Sequence, residues 1–320
     1  MSRLHPLLQV DVFSATPYYG NALAVVLGAE DLSDAEMQRF ARWTNLAETT
    51  FILPPSAAGA AAGADYQVRI FTTAYEMPFA GHPTLGSCHA WLEHGGAPKD
   101  PDCIVQECKV GLVRIRRDGP RLAFAAPALQ RQALDASVHA AVLGALGLQA
   151  HQVKASQKLV NGPSHLGLLL DSADSVLALA PDFSALRAAL ARAGCSGVGL
   201  AGLHVQEAMP DLIRRSNREA RAFAGNNAAA SGESPEPASP DLEVRMFVSD
   251  QGISEDPVTG SFNASLAQWL MAEGHMPASY LAAQGSCIGR AGRVHLQQDA
   301  SGQVWVGGET VTCIAGVVTF

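Results

Sequence analysis

An internal repeat is the feature that most limits what this chain can fold into. The strand-like run VRIF at 68–71 is followed, a short way along the chain, by PTLGS at 83–87. The second half contains VRMF at 244–247 and, after a slightly shorter gap, PVTGS at 257–261. In both copies we expect an apolar, alanine-containing helix to follow. The repeat therefore predicts two similar domains, in agreement with the length of 320 residues.

The helix expected in each copy has apolar residues on most of its sides. In the first copy several apolar residues point in different directions around the helix, so other elements have to surround it: Leu85, Cys88, Ala90, Trp91 and Leu92. Short strands separated by turn residues, as at 104–106 and 111–116, are typical of an antiparallel sheet. The predicted fold class is therefore α+β, with two pseudo-symmetric domains, each a mostly antiparallel β-sheet or barrel wrapped around a central α-helix.

The domain boundary is expected near Pro127, which gives an N-terminal domain at 1–127 and a C-terminal domain at 128–320. The last strand, near 311–320, is a candidate to complete the N-terminal domain. Residues 208–241 are rich in alanine, serine, glycine, proline and asparagine. Such a composition cannot bury a core, so we expect a flexible surface insertion there.

Charge and apolar patterning exclude several classes of partner. The chain has 22 Lys and Arg against 30 Asp and Glu, a net charge of −8, and this supplies no positive field for nucleic acid or anionic lipid. The longest weakly polar stretch, 136–150, is shorter than the roughly 20 residues of a membrane span. The six cysteines form no CxxC pair, and the N-terminus contains no signal-peptide core. We expect a cytoplasmic protein without nucleic-acid or membrane partners.

The two helix starts form the first candidate site. With Pro83 and Pro257 near the first helical position, His82 and Asp256 are expected at the two N-caps. A helix N-terminus binds anions through its unpaired backbone N–H groups, and Gly81 allows a ligand to approach the backbone. Pseudo-symmetric domains place such ends across one cleft. The alternative is that Asp256 only caps its helix and His82 only fills a turn.

Glu48 lies where a loop becomes the β-prone run at 50–53, and its simplest interpretation is a solvated carboxylate. No metal site is indicated, because HExxH is absent and His82 has no cysteine or carboxylate at a familiar ligand spacing. The GxSxG elbow, the Walker loop and the GxGxxG fingerprint are also missing. These absences argue against serine hydrolases and against nucleotide- or dinucleotide-dependent enzymes.

Seven segments in register resemble the phenazine-biosynthesis PhzF-like family, and together they extend over nearly the whole chain. The resemblance implies a fold like that of diaminopimelate epimerase, with the active site between the two domains. It also implies a homodimer. The segments are QVDVFSATPYYGNALAVV at 9–26, NLAETTF at 45–51, MPFAGHPTLGS at 77–87, RMF at 245–247, EDPVTGS at 255–261, AAQGSCIGRAGRV at 282–294 and VGGETV at 306–311.

The chemistry that this resemblance implies is isomerisation by proton transfer, without metal or coenzyme. The substrate would be a small cyclic or unsaturated carboxylate, such as trans-2,3-dihydro-3-hydroxyanthranilate. By matching positions, Glu48 is the general acid/base. The other catalytic positions are His82, Asp256 and Ser261, and the groups that hold substrate are Asn21, Gly81 and Gly260.

Two other functions stay open at this point. An amino-acid racemase or epimerase of this fold uses paired cysteines at the two helix starts, where this chain has Gly81 and Asp256. Cys88 lies further into its helix and is expected to point into packing. A non-catalytic binder of small carboxylates would keep the cleft without proton transfer. Phe262 replaces the small residue that usually follows the serine, and its ring is expected to narrow or redirect the pocket.

Overall fold

The computed structural model describes residues 2–204, 239–248 and 254–320. All but the last three residues of the predicted insertion at 208–241 lie outside these ranges. Within the described ranges, no helix is long and apolar enough to cross a membrane.

The first part of the chain alternates strands with three helices. The strands are β1 (Leu4–Val12), β2 (Asn21–Val26), β3 (Glu48–Leu53), β4 (Tyr66–Thr72), β5 (Glu76–Met77), β6 (Cys103–Cys108), β7 (Gly111–Asp118) and β8 (Arg121–Ala125). The helices are α1 (Asp34–Thr44), α2 (Ala57–Ala61) and α3 (Gly81–Glu93).

The second part adds strands and helices of similar length. The strands are β9 (Gln130–Gln132), β10 (Val153–Val160), β11 (Ser164–Leu170), β12 (Gly197–Leu203), β13 (Leu242–Val248), β14 (Glu255–Asp256), β15 (Ser279–Gln284), β16 (Gly292–Gln298), β17 (Val304–Gly308) and β18 (Thr310–Thr319). The helices are α4 (Ala136–Leu146), α5 (Ala173–Leu177), α6 (Phe183–Ala193) and α7 (Gly260–Ala272), with short 3-10 turns at Ala150–Gln152 and Ser286–Ile288.

Local sequence signals explain where several elements begin. Ser33 caps α1 in a capping box: its Oγ accepts from the Glu36 backbone N–H, and the Glu36 carboxylate accepts from the Ser33 backbone N–H at 2.8 Å. Asn45, in the left-handed conformation, ends α1. The following strand starts at Glu48 itself, so the expected loop-to-strand transition at this residue is confirmed.

The predicted fold class is confirmed, because most strand pairs are antiparallel and both halves repeat one pattern. In each half a long strand pairs antiparallel with a two-residue strand, then a 13-residue helix follows, and the next strand runs parallel to the first. These units are β4–β5–α3–β6 and β13–β14–α7–β15. Nine residues of α3 and ten of α7 are buried, so each helix is enclosed on nearly all sides.

The true register of the repeat differs from the one predicted. Ile70 pairs with Met77 in β4–β5, whereas Met246 pairs with Asp256 in β13–β14. Pro78 is therefore the counterpart of Pro257, and the two PxxGS motifs are not equivalent. α3 begins two residues before Pro83, but α7 begins three residues after Pro257.

The same Arg–Glu ion pair occurs in both halves, at positions that agree with the register given by the strand pairing. Arg69 holds Glu76 through two hydrogen bonds, and Arg245 holds Glu255 in the same bidentate way. Each pair joins the long strand to the short strand that precedes the central helix. Strand pairing and this ion pair fix the register, and the PxxGS similarity is a coincidence of sequence.

Two strand pairs connect the beginning and the end of the chain. β18 pairs antiparallel with β1, with Leu4 opposite Thr319, and β17 pairs antiparallel with β8. The expected strand near 311–320 is thus present and lies beside the first strand. The domain boundary after residue 127 stays a prediction.

Candidate functional site

A cavity of about 310 Å³ lies where the N-termini of α3 and α7 meet. The two helices approach through glycine: a Cβ placed on Gly81 would lie 2.9 Å from the backbone of Gly260, and one placed on Gly260 would lie 3.0 Å from the Cα of Gly81. Larger residues at these positions would separate the helix ends. Gly81 therefore allows the two helices to come close together. The sequence had indicated only that it lets a ligand approach the backbone.

Neither helix N-terminus is capped by a side chain. The N-cap residues are Ala80 and Thr259, so the expectation that His82 and Asp256 are the caps was wrong. His82 is the second residue of α3, and Asp256 ends strand β14, four residues before α7. The Thr259 hydroxyl donates to the Asp256 carboxylate at 2.5 Å instead of capping its helix. The unpaired N–H groups of both helices consequently remain available to an anion in the cavity.

Glu48 is a buried carboxyl in the wall of this cavity. It begins β3 and is only 5% exposed. Burial raises the pKa of Glu48 to about 8, and repulsion by the nearby Asp256 carboxylate acts in the same direction. A carboxyl with this pKa can take up and release a proton near neutral pH. Because Glu48 is buried, its interpretation as a solvated carboxylate was wrong.

His82 faces Glu48 across the cavity, with its Nε2 3.3 Å from the Glu48 Oε2. Burial lowers the pKa of His82 to about 3, so the ring is neutral at pH 7 and the contact is not an ion pair, despite the short distance. The Asn21 amide Nδ2 lies 3.3 Å from the ring Nδ1. Because an amide NH₂ only donates, Nδ1 accepts and the ring proton is on Nε2. This Nε2 is buried and forms no hydrogen bond in the structure, with Glu48 or with any other residue.

Asp256 is the second carboxyl of the cavity and is held by a network. Asn21 donates to Oδ1 at 3.1 Å, and Thr259 donates to Oδ2. Gln284 donates to the backbone carbonyl of Asp256 and to the Thr259 hydroxyl, both at 3.1 Å. Burial raises the pKa of Asp256, but these hydrogen bonds to the side chain oppose the shift. The two buried carboxyls therefore differ in their environments: Asp256 accepts hydrogen bonds from side chains, whereas the Glu48 Oε2 accepts none.

The structure brings six of the seven predicted site residues into the cavity wall. Asn21 is the exception: its side chain lies behind His82 and Asp256, and it also donates to the backbone carbonyl of Val258 at 2.9 Å. The six in the wall are Glu48, Gly81, His82, Asp256, Gly260 and Ser261.

His165 is a cavity residue that the sequence did not indicate. It is the second residue of β11, is 4% exposed, and has a buried Nδ1 without a hydrogen-bond partner. Burial lowers its pKa to about 4. Neighbouring residues of the same hairpin and of the α6–β12 loop complete this wall: Gly162, Pro163, Ser164, Gly194 and Ser196. No local motif marks them, because only the β10–β11 hairpin brings them to α7.

The expected effect of Phe262 on the pocket is indirect. Its ring is fully buried, packs over Gly199 and meets the His165 ring edge-on at 5.9 Å. Phe262 does not line the cavity, but it supports the His165 ring that does.

No cysteine lines the cavity in the described part of the chain. The positions where the resemblance places the paired thiols of a racemase hold Gly81 and Asp256, and both line the cavity. Cys88 is buried in packing, as predicted, and burial raises its pKa to about 12. Residues 2–204, 239–248 and 254–320 also contain no cluster of His, Cys, Asp or Glu that could hold a metal ion.

Comparison with known proteins identifies the family of the chain. The sequence model of a family described as phenazine biosynthesis-like protein, PhzC-PhzF, matches residues 10–316. The chain belongs to this family. It is 32% identical, over 94% of its length and 92% of the relative's, to a protein of Pseudomonas aeruginosa named trans-2,3-dihydro-3-hydroxyanthranilate isomerase. A Schizosaccharomyces pombe protein named antisense-enhancing sequence 1 is also 32% identical, with 98% of each chain covered.

Solved structures give the same fold. A PhzF-family phenazine biosynthesis protein of Bacillus anthracis superposes with a TM-score of 0.76, at 21% identity and with 99% of both chains covered. The family match and the isomerase names of curated relatives place the chain among the PhzF-like isomerases.

Proposed function

We propose that this protein is a cofactor-independent isomerase that moves a proton within a small cyclic or unsaturated carboxylate, with Glu48 as the group that takes and returns the proton. The observation that carries the proposal is the buried Glu48 carboxyl, with a pKa of about 8, in a cavity between two uncapped helix N-termini. A general acid/base works best when its pKa is near the operating pH.

The proposed reaction begins with the ionised form of Glu48. Its carboxylate removes a proton from a substrate carbon, and the electron pair that is left delocalises towards the conjugated carboxylate. The backbone N–H groups at the starts of α3 and α7 stabilise the negative charge that develops there. Glu48 then returns the proton to another carbon on the same face. The product is an isomer, and neither an oxidant nor a co-reactant is consumed.

His82, Asp256 and Ser261 have supporting roles in this proposal. The Nε2 of His82 lies 3.3 Å from the Glu48 Oε2 without a hydrogen bond between them, and in this proposal a small rotation of the ring lets its N–H donate to the carboxyl when Glu48 is ionised. Asp256 keeps Glu48 protonated in the resting state through repulsion, which is one of the causes of the raised pKa. Gly81 and Gly260 hold substrate through their backbones, and Ser261 adds a hydroxyl at the second helix start. Asn21 acts through His82 and Asp256, which its amide contacts.

The pseudo-symmetry argues for one proton-carrying group instead of two. Strand β12 corresponds to β3, and their pairing with β13 and β4 makes Gly197 the counterpart of Glu48. By the same register, Met77 is the counterpart of Asp256, and His82 is that of Ser261. A racemase needs acid/base groups on both faces of one carbon, and Gly197, the pseudo-symmetric counterpart of Glu48, has no side chain that could be the second group. Isomerisation on one face fits this arrangement better.

The named substrate is tested by mass and retention time. Incubation of the wild type with trans-2,3-dihydro-3-hydroxyanthranilate is expected to give a new product of unchanged mass in liquid chromatography with mass detection. If this compound is unchanged but another small unsaturated carboxylate is isomerised, the reaction class stands and the named substrate fails. If compounds of a panel that varies ring size and amino substitution bind but none is isomerised, the protein is a carboxylate binder.

The pH dependence of the reaction follows from the pKa of Glu48. Because the ionised form takes the first proton, kcat/KM is expected to increase with pH and to level off above a midpoint of about 8. The pKa of His82 is about 3, so its titration does not change the pH profile of kcat/KM between pH 5 and 10. Initial rates measured across this range test the assignment. A midpoint near 4.5, the ordinary value for glutamate, would contradict it.

His165 is expected to bind the substrate at the end of the cavity that faces β11. Its free ring nitrogen can make one hydrogen bond, which contributes about 0.5–1.5 kcal/mol. His165→Phe should therefore raise KM by about threefold to tenfold and change kcat less. His139→Phe is the matched control, since His139 lies outside the cavity wall. Equal effects of both substitutions, or a loss confined to kcat, would exclude a binding role.

A further inference from the structure

A second cavity lies apart from the candidate active site. It has a volume of about 400 Å³ and opens between the loop that joins β1 to β2 and the outward-facing side chains of β16. None of its wall residues lines the catalytic cavity between α3 and α7. Its wall contains two charged residues and one histidine: Arg293, Glu309 and His295. We call this cavity the β16 pocket.

Backbone hydrogen bonds hold the loop against the segments that carry the two charged residues. The Arg293 N–H donates to the Phe13 carbonyl at 2.9 Å, and the Ser14 N–H donates to the Glu309 carbonyl at 3.1 Å. Phe13 comes close because Gly308 has no side chain: a Cβ there would lie 2.4 Å from the Phe13 ring. The fold itself therefore fixes the two walls of the β16 pocket relative to each other.

Arg293 provides a positive charge that no protein group neutralises. Its Nε is buried without a hydrogen-bond partner, and one terminal nitrogen donates to the Gly292 carbonyl at 3.0 Å. Within 2–204, 239–248 and 254–320, no carboxylate forms an ion pair with this guanidinium. A partly buried charge without a counter-ion is unfavourable. A ligand carboxylate would supply the missing partner, because the guanidinium fork matches two carboxylate oxygens.

Glu309 provides the opposite charge in the same wall. β16 and β17 pair antiparallel, with His295 opposite Gly307. Two residues further along, this register brings Glu309 level with Arg293. Opposite charges at such cross-strand positions attract each other, but these two form no ion pair, and no other cation of the described segments pairs with Glu309. The β16 pocket therefore has a free carboxylate beside a free guanidinium.

His295 adds no charge to this wall at neutral pH. Its ring Nδ1 lies 3.1 Å from the Nη1 of Arg121. Burial lowers the pKa of His295 to about 4, and repulsion by the Arg121 guanidinium acts in the same direction. Arg121 itself is balanced by Asp118, whose carboxylate is 3.0 Å away. The wall thus carries one positive and one negative charge at pH 7, each without a protein partner.

We propose that the β16 pocket binds a small α-amino acid as a zwitterion, with its carboxylate on Arg293 and its ammonium group on Glu309. A ligand with only one of these charges would leave the other protein charge unpaired. Apolar residues complete the wall, among them Phe13, Ala15 and Ala291, so we expect an apolar side chain on the ligand. This inference does not depend on the proposed reaction.

Isothermal titration calorimetry with three probes of one carbon skeleton tests the inference on the full chain. L-phenylalanine carries both charges, 3-phenylpropionate only the carboxylate, and 2-phenylethylamine only the ammonium group. L-phenylalanine should bind saturably and about tenfold or more tightly than either analogue, because each analogue loses one charged contact. Absence of saturable L-phenylalanine binding, or equal affinity for 3-phenylpropionate, would overturn the proposal.

Two substitutions assign the binding to the β16 pocket. Arg293→Met and Glu309→Gln should each weaken L-phenylalanine binding about tenfold or more. Only Arg293→Met should weaken 3-phenylpropionate binding, since this probe has no group for Glu309. Arg187→Met is the control, because Arg187 is exposed on α6 and lies outside this wall; its affinity should equal that of the wild type.

Glu309→Gln keeps the shape of the side chain, so it decides the result alone if Arg293→Met does not fold. Circular dichroism of each variant checks the fold. L-phenylalanine binding that is unchanged in Glu309→Gln would show that the ammonium group does not contact this carboxylate. That result would overturn the proposal, whichever other site the probe occupies.

Discussion

Glu48→Gln should lower kcat by about 1,000-fold, within the range that general acid/base groups contribute. The amide keeps the shape of the carboxyl but cannot take a proton from carbon. The fold and the affinity for substrate should change little, because Glu48 accepts no hydrogen bond that the fold depends on. The measurement is steady-state turnover with the isomerised substrate, together with direct binding of that substrate to the variant.

Glu30→Gln is the matched control for this substitution, because Glu30 lies in an exposed loop, outside the cavity wall. Its turnover should equal that of the wild type. A Glu48→Gln variant that retains a tenth or more of wild-type kcat would contradict the assignment of Glu48. A variant that also loses substrate affinity would show that Glu48 binds the substrate as well.

The same pair of proteins should differ in the pH dependence of stability. The pKa of Glu48 is about 8 in the folded protein and 4.5 ordinarily, so the folded state binds this proton more tightly than the unfolded state. The stabilising effect is complete below about pH 4.5 and is lost as pH rises through about 8. Across that window the wild type should therefore lose free energy of unfolding relative to Glu48→Gln.

Arg245→Met should lower the free energy of unfolding by about 3–5 kcal/mol, as is typical when one partner of a buried ion pair is removed. The Arg245 guanidinium donates to both Glu255 carboxylate oxygens, at 3.0 and 2.8 Å, and to the Leu179 carbonyl at 2.8 Å. It also lies 4.8 Å above the Phe247 ring. The variant leaves the Glu255 carboxylate buried without its partner. Urea unfolding followed by circular dichroism measures the loss.

Two further variants separate the ion pair from general packing. Arg245→Met/Glu255→Leu removes both charges and should recover most of the lost stability. Arg69→Met changes the symmetry-related pair, whose side chains are more exposed, at 20% and 12% against 8% and 6%, so its effect should be smaller. If Arg69→Met and Arg245→Met lower the free energy of unfolding equally, the burial of the ion pair does not determine how much stability is lost.

Much of the fold followed from patterns that local sequence contains. The two similar halves and the two enclosed helices depend on patterns of residues close to one another in the chain, and both were predicted. The N-caps and the register of the repeat were not. Both depend on how the short strands before α3 and α7 pair with the long strands β4 and β13. The bidentate ion pairs of Arg69 and Arg245 hold this pairing, and they are seen only once the chain has folded.

The candidate site shows the same division. His82 and Asp256 were found from the two helix starts, whereas Glu48 was found only through the resemblance to a known family. The structure brings them together from two strands and one helix. Periodicity alone gave no reason to select Glu48, because its burial comes from the surrounding sheet. His165 carried no signal, since only the β10–β11 hairpin places it in the cavity.

The most direct test of the account is proton NMR of trans-2,3-dihydro-3-hydroxyanthranilate in D₂O with the wild type and with Glu48→Gln. The measurement follows the carbon-bound protons of the substrate. The account predicts rearrangement or deuterium exchange of these protons with the wild type and none with Glu48→Gln. Rearrangement at equal rates with both proteins would contradict the role of Glu48 as the proton carrier.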